Sequence, residues 1–221
     1  MIGYYLASYF DFIGLNLISA SLERLILFSY PTIVLILSVF ILKKKITKVQ
    51  LTSIFITYLG IVIIFSDRGG IASGSPENLY LGAVFILLSA FTYALYLVGS
   101  NHIIENVGSI RLTTLSMLTS CLAVILHYLI TSEIDLLKYP KEVYFLSFFM
   151  AVFATVIPSF LINEAIKRIG APTVSIIGSL GPVSTITLSI IFLDEMLTLI
   201  QFGGALVIIT GVMIISKTKK Q

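Results

Sequence analysis

Eight long apolar segments divide this chain, and they constrain its fold more than any other feature of the sequence. A helix needs about 20 predominantly apolar residues to cross the hydrocarbon core of a bilayer. Inside that core every backbone polar group must be hydrogen-bonded within the protein, so such segments fold as helices. The segments are residues 2–20, 22–42, 48–66, 79–100, 111–131, 143–165, 172–193 and 197–216.

The composition excludes a water-soluble fold. Only 11% of the residues are charged and 57% are hydrophobic, whereas soluble domains carry roughly a quarter charged residues. Most exceptions within the segments lie at segment ends, as Glu23, Arg24, Lys48 and Glu164 do, while Asp11 lies about halfway along the first. We therefore predict an all-α, polytopic transmembrane bundle of about eight helices.

The polar connections divide the chain into two unequal parts. Residues 67–78 (DRGGIASGSPEN) are rich in Gly, Ser and Pro, which is typical of a surface linker. The other connections are predicted to be short, for example residues 101–109. Residues 1–10 lack the basic stretch that begins a secretory signal peptide, so we expect no cleavable signal.

The distribution of basic residues predicts the orientation in the membrane, because cytoplasmic loops hold the excess of Lys and Arg. Alternate sides of the eight predicted helices carry ten and four of these residues. The first side has Lys43, Lys44, Lys45, Lys48, Arg111, Lys167, Arg168, Lys217, Lys219 and Lys220, and the second has Arg24, Arg68, Lys138 and Lys141. Both termini, including the tail 217–221, are predicted to be cytoplasmic.

The chain contains an internal repeat. Shifting the sequence by 151 residues aligns residues 18–65 with residues 169–216 without a gap and gives 12 identities in 48 positions. The informative identities pair uncommon residues, namely Pro31 with Pro182, Ser38 with Ser189, Thr47 with Thr198, Gln50 with Gln201, and Gly60 with Gly211. Two unrelated apolar hairpins are the alternative explanation. If the two hairpins are a genuine repeat, the repeat determines how the helices of the fold are arranged.

The two copies are predicted to have opposite orientations. Lys43, Lys44 and Lys45 align with Asp194, Glu195 and Met196, and the basic-residue count assigns the first turn to the inside and the second to the outside. Inverted repeats let one half of a carrier rock against the other around a central site, which is the basis of alternating access.

Two stretches resemble the EamA repeat of the drug/metabolite transporter superfamily. The first is ISASLERLILFSYPTIVLILSVFILKKKIT followed by QLTSIFITYLGIVIIFS, and the second is NEAIKRIGAPTVSIIGSLGPVSTITLSIIFLDEMLTLIQFGGALVIITGVMII. They share a turn of small residues, a proline within a helix, a short polar turn and a glycine in the last helix. Together they cover roughly half of the chain.

The resemblance implies ten helices in two inverted five-helix repeats, which move small metabolites through a central cavity. Measured against that pattern, two N-terminal helices are expected to be missing, giving an incomplete 5+5 fold. The implied domains are a partial first repeat of three helices (1–66), a linker (67–78), a second repeat of five helices (79–216) and a tail (217–221).

Asp11 is the sharpest candidate for a functional residue. An acidic side chain inside a membrane is costly and usually faces the bundle interior or a water-filled cavity. Tyr4, Ser8 and Asp11 fall at helical spacing, so one face of the first helix is polar. Asp11 could bind a cationic solute or carry a coupling proton, and a structural hydrogen bond to a neighbouring helix is the alternative.

Two further polar stripes could line a cavity. Helical spacing relates the members within each stripe, and these are Ser89, Tyr93, Tyr96 and Ser100 in one segment and Thr155, Ser159 and Asn163 in another. Packing between helices is the alternative for the tyrosines. Next to the second stripe, Glu164 is expected to pair locally with Lys167 or Arg168.

Three prolines inside the segments, Pro31, Pro158 and Pro182, are predicted hinges or static kinks. Each removes a backbone hydrogen bond and distorts its helix. Gly178, Pro182, Thr185 and Ser189 form a face of small and polar residues that suits either close helix packing or a cavity wall.

The residue types in this sequence give little support for an enzymatic function. The chain has two distant histidines, one cysteine and no Walker-type phosphate motif, so we expect no metal, no cofactor, no ATP hydrolysis and no catalytic residues. The predicted function is secondary transport of a small solute in a bacterial inner membrane. The expected partners are that solute and the bilayer, not nucleic acid, and a homo-oligomer is left open. A shortened, non-transporting fragment that needs a partner or is inactive is the alternative.

Overall fold

The computed structural model describes residues 2–18, 20–43, 45–66, 76–131, 138–181, 183–184 and 198–217. Within these ranges the secondary structure is helix joined by turns, with no strand. This confirms the predicted all-α fold. Each described helix overlaps one of the predicted apolar segments.

Ten α-helices and two π-helical stretches make up the described part of the chain. In the first half they are a π-helical turn at Ile2–Leu6, α1 (Ala7–Leu15), α2 (Ala20–Leu27), α3 (Tyr30–Ile41) and α4 (Lys48–Ser66). In the second half they are α5 (Pro76–Val107), α6 (Ser109–Thr131), α7 (Lys141–Phe149), a π-helical stretch at Met150–Val156, α8 (Ile157–Ile169), α9 (Ala171–Gly178) and α10 (Leu199–Lys217).

Six of these stretches have the apolar character of membrane-spanning helices. Three are long enough to cross a bilayer by themselves, namely Asn78–Val107, Ser109–Thr131 and Lys141–Ile169. Three shorter apolar helices are Tyr30–Ile41, Lys48–Ile63 and Phe202–Ile215. The long helix α5 lies at the centre and contacts α1, α2, α3, α6, α8 and α9. Its small residues Ala90 and Ala94 are fully buried, which lets neighbouring helices approach closely.

The predicted connection at residues 101–109 is wrong. Helix α5 continues to Val107, and the connection to α6 is Gly108 alone, with a φ of +85° that favours glycine. Asn101 explains the extension, because its Oδ1 accepts a 2.8 Å hydrogen bond from the backbone N–H of Ala171 at the start of α9. The prediction used apolarity alone, so it ended this helix where the polar residues begin.

The predicted segment 22–42 is two helices separated by a turn at Phe28 and Ser29. Proline cannot donate a backbone hydrogen bond to the carbonyl four residues earlier, and Pro31 lies in the first turn of α3, directly after this break. Within the turn the backbone N–H of Ser29 donates to the carbonyl of Ile26 instead.

A matching break follows α9. The turn lies at Ser179 and Leu180, and the N–H of Leu180 donates to the carbonyl of Ile177, which is the Ser29–Ile26 bond displaced by 151 residues. The bounds of α9 follow those of α2 by the same 151 residues, and the bounds of α10 follow those of α4 likewise. Backbone geometry thus repeats with the period of the sequence.

Helices α4 and α10 form the most extensive helix pair, and they run antiparallel. Gly60 lies against Gly204 and Ile208, while Gly211 lies against Ser53 and Thr57. The 151-residue shift exchanges these two sets of contacts, as a local two-fold relation requires. Glycine at both positions allows the backbones to approach closely.

Candidate functional site

Four polar side chains from four helical stretches meet in the interior, and we call Tyr4, Tyr96, Thr113 and Asn163 the polar cluster. The Asn163 Nδ2 donates hydrogen bonds to the Tyr96 hydroxyl at 2.5 Å and to the Thr113 hydroxyl at 2.9 Å. The hydroxyls of Tyr4 and Tyr96 are hydrogen-bonded at 3.1 Å. The cluster therefore connects the π-helical turn Ile2–Leu6, which carries Tyr4, with α5, α6 and α8.

One atom of the polar cluster has no partner within the described part of the chain. The Oδ1 of Asn163 is buried and accepts no hydrogen bond. A buried polar atom without a partner is costly and invites a donor from a bound molecule. Ser159, one turn earlier on α8, lies beside the Tyr4 hydroxyl and adds a second polar group.

Tyrosine rings connect the polar cluster to the helix breaks. The ring of Tyr93 stacks on Tyr96 with centroids 6.4 Å apart, and Tyr30 meets Tyr93 edge to face at 5.3 Å. The Tyr30 hydroxyl donates to the carbonyl of Ser175 at 3.1 Å and lies against Gly178, at the end of α9. These contacts give a continuous aromatic path from the cluster to both breaks.

Two cavities lie beside the Tyr4–Tyr96 pair. The α5–α6 cavity has a volume of about 290 Å³ and is lined by Leu95, Tyr96, Gly99, Ser100, Ile103, Leu112 and Ser116. The α1–α6 cavity has a volume of about 430 Å³ and is lined by Tyr4, Tyr5, Ser8, Tyr9, Phe12, Val124, His127, Tyr128 and Thr131. Each tyrosine of the bonded pair lines one cavity.

The α1–α6 cavity contains residues that the sequence interpretation missed. The Tyr5 hydroxyl is hydrogen-bonded to the Nδ1 of His127 at 2.8 Å, and the Tyr9 ring packs on the same imidazole with centroids 5.2 Å apart. The only signal in the sequence is the spacing of Tyr5 and Tyr9 by one helical turn. Nothing local connects them to His127, more than 100 residues away.

Most of the predicted cavity residues lie in or beside this region. Tyr4, Tyr96 and Asn163 belong to the polar cluster, and Tyr93 and Ser159 contact it. Ser8 lines the α1–α6 cavity, and Ser100 lines the α5–α6 cavity with a buried Oγ that has no partner within the described part of the chain.

Three predicted cavity residues lie elsewhere, and two of them are Ser89 and Thr155. Ser89 is buried within the packing of α5, where its carbonyl accepts a hydrogen bond from Thr92. Thr155 is exposed in the π-helical stretch, and its carbonyl accepts a 2.6 Å hydrogen bond from Ser159. Each stripe thus leaves the interior at one end, which helical spacing alone does not indicate.

Asp11 lies apart from the polar cluster. It is the central residue of α1, which ends at Leu15. Its carboxyl group lies near that of Glu23, in the first turn of α2. Glu23 is only 5% exposed, although the sequence pattern treated it as a charge at a segment end.

Glu164 forms the local ion pair that was predicted, since its Oε1 accepts a 2.8 Å bond from the Nε of Arg168. It also accepts a 2.6 Å hydrogen bond from the hydroxyl of Ser109 at the start of α6. The side chains of Glu164 and Arg168 are both solvent-accessible. Surface ion pairs of this kind contribute little to stability.

The prolines and the small-residue face are only partly described. Pro158 lies in the first turn of α8, directly after the π-helical stretch. Gly178 packs against the Tyr30 hydroxyl, so it acts in close helix packing. Pro182, Thr185, Ser189, Asp194 and Glu195 lie outside the described residues. Within the described ranges no three His, Cys, Asp or Glu residues are grouped to hold a metal ion.

Comparison with known proteins identifies one family. The sequence model of the EamA-like transporter family matches residues 1–66 and 80–217. The uncharacterized transporter YcbK of Bacillus subtilis is 38% identical over 215 residues, which are 94% of this chain and 68% of YcbK. The uncharacterized transporter YyaM of the same organism is 29% identical over 203 residues, 91% of this chain and 66% of YyaM. This chain thus spans about two thirds of the length of these relatives.

A solved crystal structure shares the fold. It superposes with a TM-score of 0.82 at 16% sequence identity and covers 98% of this chain and 74% of its own. At that identity the likeness concerns the helical architecture alone.

Proposed function

Because the chain belongs to the EamA-like transporter family, we propose that this multi-pass membrane protein is a secondary carrier that moves a small organic solute by alternating access. The observation that carries the proposal is the position of the polar cluster between two cavities. Tyr4 lines one cavity, Tyr96 lines the other, and their hydroxyls are hydrogen-bonded to each other.

The cavities lie at different depths along α6. Ser116 lines the first and His127 the second, and their separation of 11 positions corresponds to roughly 16 Å at the rise of an α-helix. The first cavity lies towards Gly108, in a turn that we assign to the cytoplasm. The second lies towards Thr131 and the turn that we assign to the outside. A solute bound at the polar cluster would reach one side through each cavity.

Two halves that rock against each other are the second element of the proposal. We assign residues 1–66 and 79–216 to two inverted repeats, the first of them partial. The shared 151-residue period of α2 with α9 and of α4 with α10, and the exchanged glycine contacts of the antiparallel pair, support this assignment. Inverted repeats of this kind alternate access around a site at their interface.

The side chains of the polar cluster indicate which class of solute it can bind. Tyrosine rings can contact an apolar or aromatic part of a solute, and the free Oδ1 of Asn163 can accept a hydrogen bond from an amine, amide or hydroxyl group. A small organic metabolite with one such donor fits the site. We place the protein in the bacterial inner membrane with both termini in the cytoplasm.

Flux measurements test the carrier directly. The purified protein is reconstituted in proteoliposomes, and counterflow is measured for a panel of amino acids, nucleosides, amines and other small metabolites. We expect saturable exchange of at least one solute class above that of protein-free liposomes. Absence of exchange across the panel, from a sample that is monodisperse and helical, would contradict the proposal and favour a component that needs a partner.

The inverted arrangement predicts opposite labelling of two equivalent positions. Lys48 and Leu199 are the exposed first residues of α4 and α10 and are 151 residues apart. In a Cys121→Ser background, an impermeant maleimide added to whole cells is expected to label Leu199→Cys and not Lys48→Cys. Permeabilised cells provide the control for reactivity. Labelling of both positions from one side would contradict the inverted repeat.

A further inference from the structure

His127 is held in one orientation at the wall of the α1–α6 cavity. The Tyr5 hydroxyl is hydrogen-bonded to its Nδ1 at 2.8 Å, and the Tyr5 ring meets the imidazole edge to face with centroids 5.8 Å apart. The ring of Tyr9, four residues further along the chain, packs on the same imidazole at 5.2 Å. Two tyrosines of the first helical stretch therefore fix a side chain of α6.

The hydrogen bond at Nδ1 determines what the second ring nitrogen, Nε2, can do. A phenolic hydroxyl is a stronger donor than a neutral imidazole N–H, so we assign the Tyr5 hydroxyl as the donor and Nδ1 as the acceptor. In a neutral imidazole one nitrogen accepts and the other donates, so Nε2 carries the hydrogen. Within the described part of the chain this N–H has no acceptor. Because His127 lines the cavity, the N–H is available to a bound molecule.

The rest of the cavity suits an acceptor that has an aromatic body. Its volume of about 430 Å³ is within the range of small-molecule sites. Tyr9, Phe12 and Tyr128 are among its walls, and aromatic side chains of this kind pack well against another ring. The described residues that line it include no Asp, Glu, Lys or Arg. Asp11, on the same helix, lies near Glu23 instead, so no carboxylate of the lining repels an anion.

We propose that the α1–α6 cavity is a binding site for an aromatic carboxylate, whose carboxylate oxygen accepts a hydrogen bond from Nε2 of His127. A hydrogen bond to a charged acceptor is roughly twice as strong as one between neutral groups. The site therefore prefers the anion to an amide of the same shape, and both to an ammonium group, which has no acceptor. That the site selects the transported solute is the part that rests on the proposed function.

The position of the site allows selection before the solute reaches the polar cluster. Tyr4 and Tyr5 are neighbours in the chain, but their hydroxyls contact different helices, since Tyr4 bonds Tyr96 of α5 and Tyr5 bonds His127 of α6. Tyr4 also lines the α1–α6 cavity. A carboxylate held by His127 thus places its ring beside the tyrosine pair that joins this cavity to the polar cluster.

Nitrogen NMR of the imidazole tests the site without transport. The sequence contains only two histidines, so His102→Leu, a change at an exposed position, leaves His127 as the single imidazole. In this protein, labelled with isotopic histidine nitrogen, we expect a protonated Nε2 whose signal shifts when benzoate is added. An unprotonated Nε2, or an Nε2 signal that benzoate leaves unchanged, would overturn the site.

Equilibrium dialysis with benzoate, benzamide and benzylamine tests the ligand class, because the three share one ring and differ in the attached group. We expect benzoate to bind most tightly and benzylamine least. His127→Leu should weaken benzoate binding about tenfold or more, as loss of a charge-assisted hydrogen bond requires, while His102→Leu should bind like the wild type. If His127→Leu folds poorly, Tyr5→Phe, which frees the imidazole, should still weaken binding. Equal binding of benzoate and benzylamine would overturn the proposal.

Flux in proteoliposomes separates this inference from the proposed function. Benzoate should compete with the exchanged solute in the wild type, and His127→Leu should raise the half-saturating solute concentration with little change in the saturated rate. Solute exchange that benzoate does not affect would overturn selection at this site and leave the carrier intact. Benzoate binding that depends on His127, without exchange of any solute, would uphold the binding site and contradict the carrier.

Discussion

Replacing Asn163 with leucine is expected to reduce solute flux about tenfold or more. Asn163 bonds Tyr96 and Thr113 from the centre of the polar cluster and is fully buried. Without its amide, the hydroxyls of Tyr96 and Thr113 each lose one hydrogen bond, which contributes about 0.5–1.5 kcal/mol, and 1.4 kcal/mol corresponds to about a factor of ten. Initial rates of counterflow in proteoliposomes measure the effect.

The matched control for this substitution is Asn16→Leu. Asn16 is exposed, and its side chain bonds the carbonyl of Phe12 within the same turn of chain, so flux should stay at the wild-type level. Tyr96→Phe removes a single hydroxyl of the cluster and should lower flux with less effect on folding. Wild-type flux in a well-folded Asn163→Leu protein would show that the cluster is structural only.

Replacing Gly60 with leucine is expected to destabilise the folded protein strongly. A Cβ at this position would lie 2.8 Å from both the carbonyl oxygen of Gly204 and the backbone N of Ile208. Backbone atoms cannot rotate aside, so α4 and α10 must separate. Overpacking of this kind costs about 1–3 kcal/mol and occasionally more. Thermal unfolding in detergent, followed by size-exclusion chromatography, measures the loss.

Gly203 offers a control on one of the same two helices. No atom of the described structure lies within 4 Å of a Cβ built there, so Gly203→Leu should unfold near the wild-type temperature. Gly211→Leu should behave like Gly60→Leu, because its Cβ would lie 3.0 Å from the backbone of Ser53 and of Thr57. Equal stability of Gly60→Leu and Gly203→Leu would refute the close α4–α10 contact.

The helical architecture could be predicted from the sequence because the bilayer imposes a length and a composition on each helix. The ends of the helices were predicted less well from the sequence. Asn101 continues α5 beyond its apolar part, since it bonds the start of α9. The break at Phe28 and Ser29 separates one apolar segment into two helices, and apolarity gives no sign of it. Pro31 predicted a distortion there, although not a full interruption.

The candidate site was predictable only within single helices. The stripe containing Tyr93 and Tyr96 was found by its spacing, and so was Asn163, but their meeting with Tyr4 and Thr113 depends on how four helical stretches pack. The partners of Asp11 and His127 lie on other segments for the same reason. Glu23 in particular looked like an ordinary end-of-helix charge and is only 5% exposed.

The reliance of α4 on α10 has a consequence for biosynthesis. Residues 67–198 separate the two helices in the chain, and at roughly 5–20 residues per second the ribosome needs on the order of ten seconds to bridge them. During that interval the face of α4 that carries Gly60 contacts lipid or insertion factors instead of α10. Nascent chains arrested before residue 199 should therefore be recognised by membrane quality control and degraded.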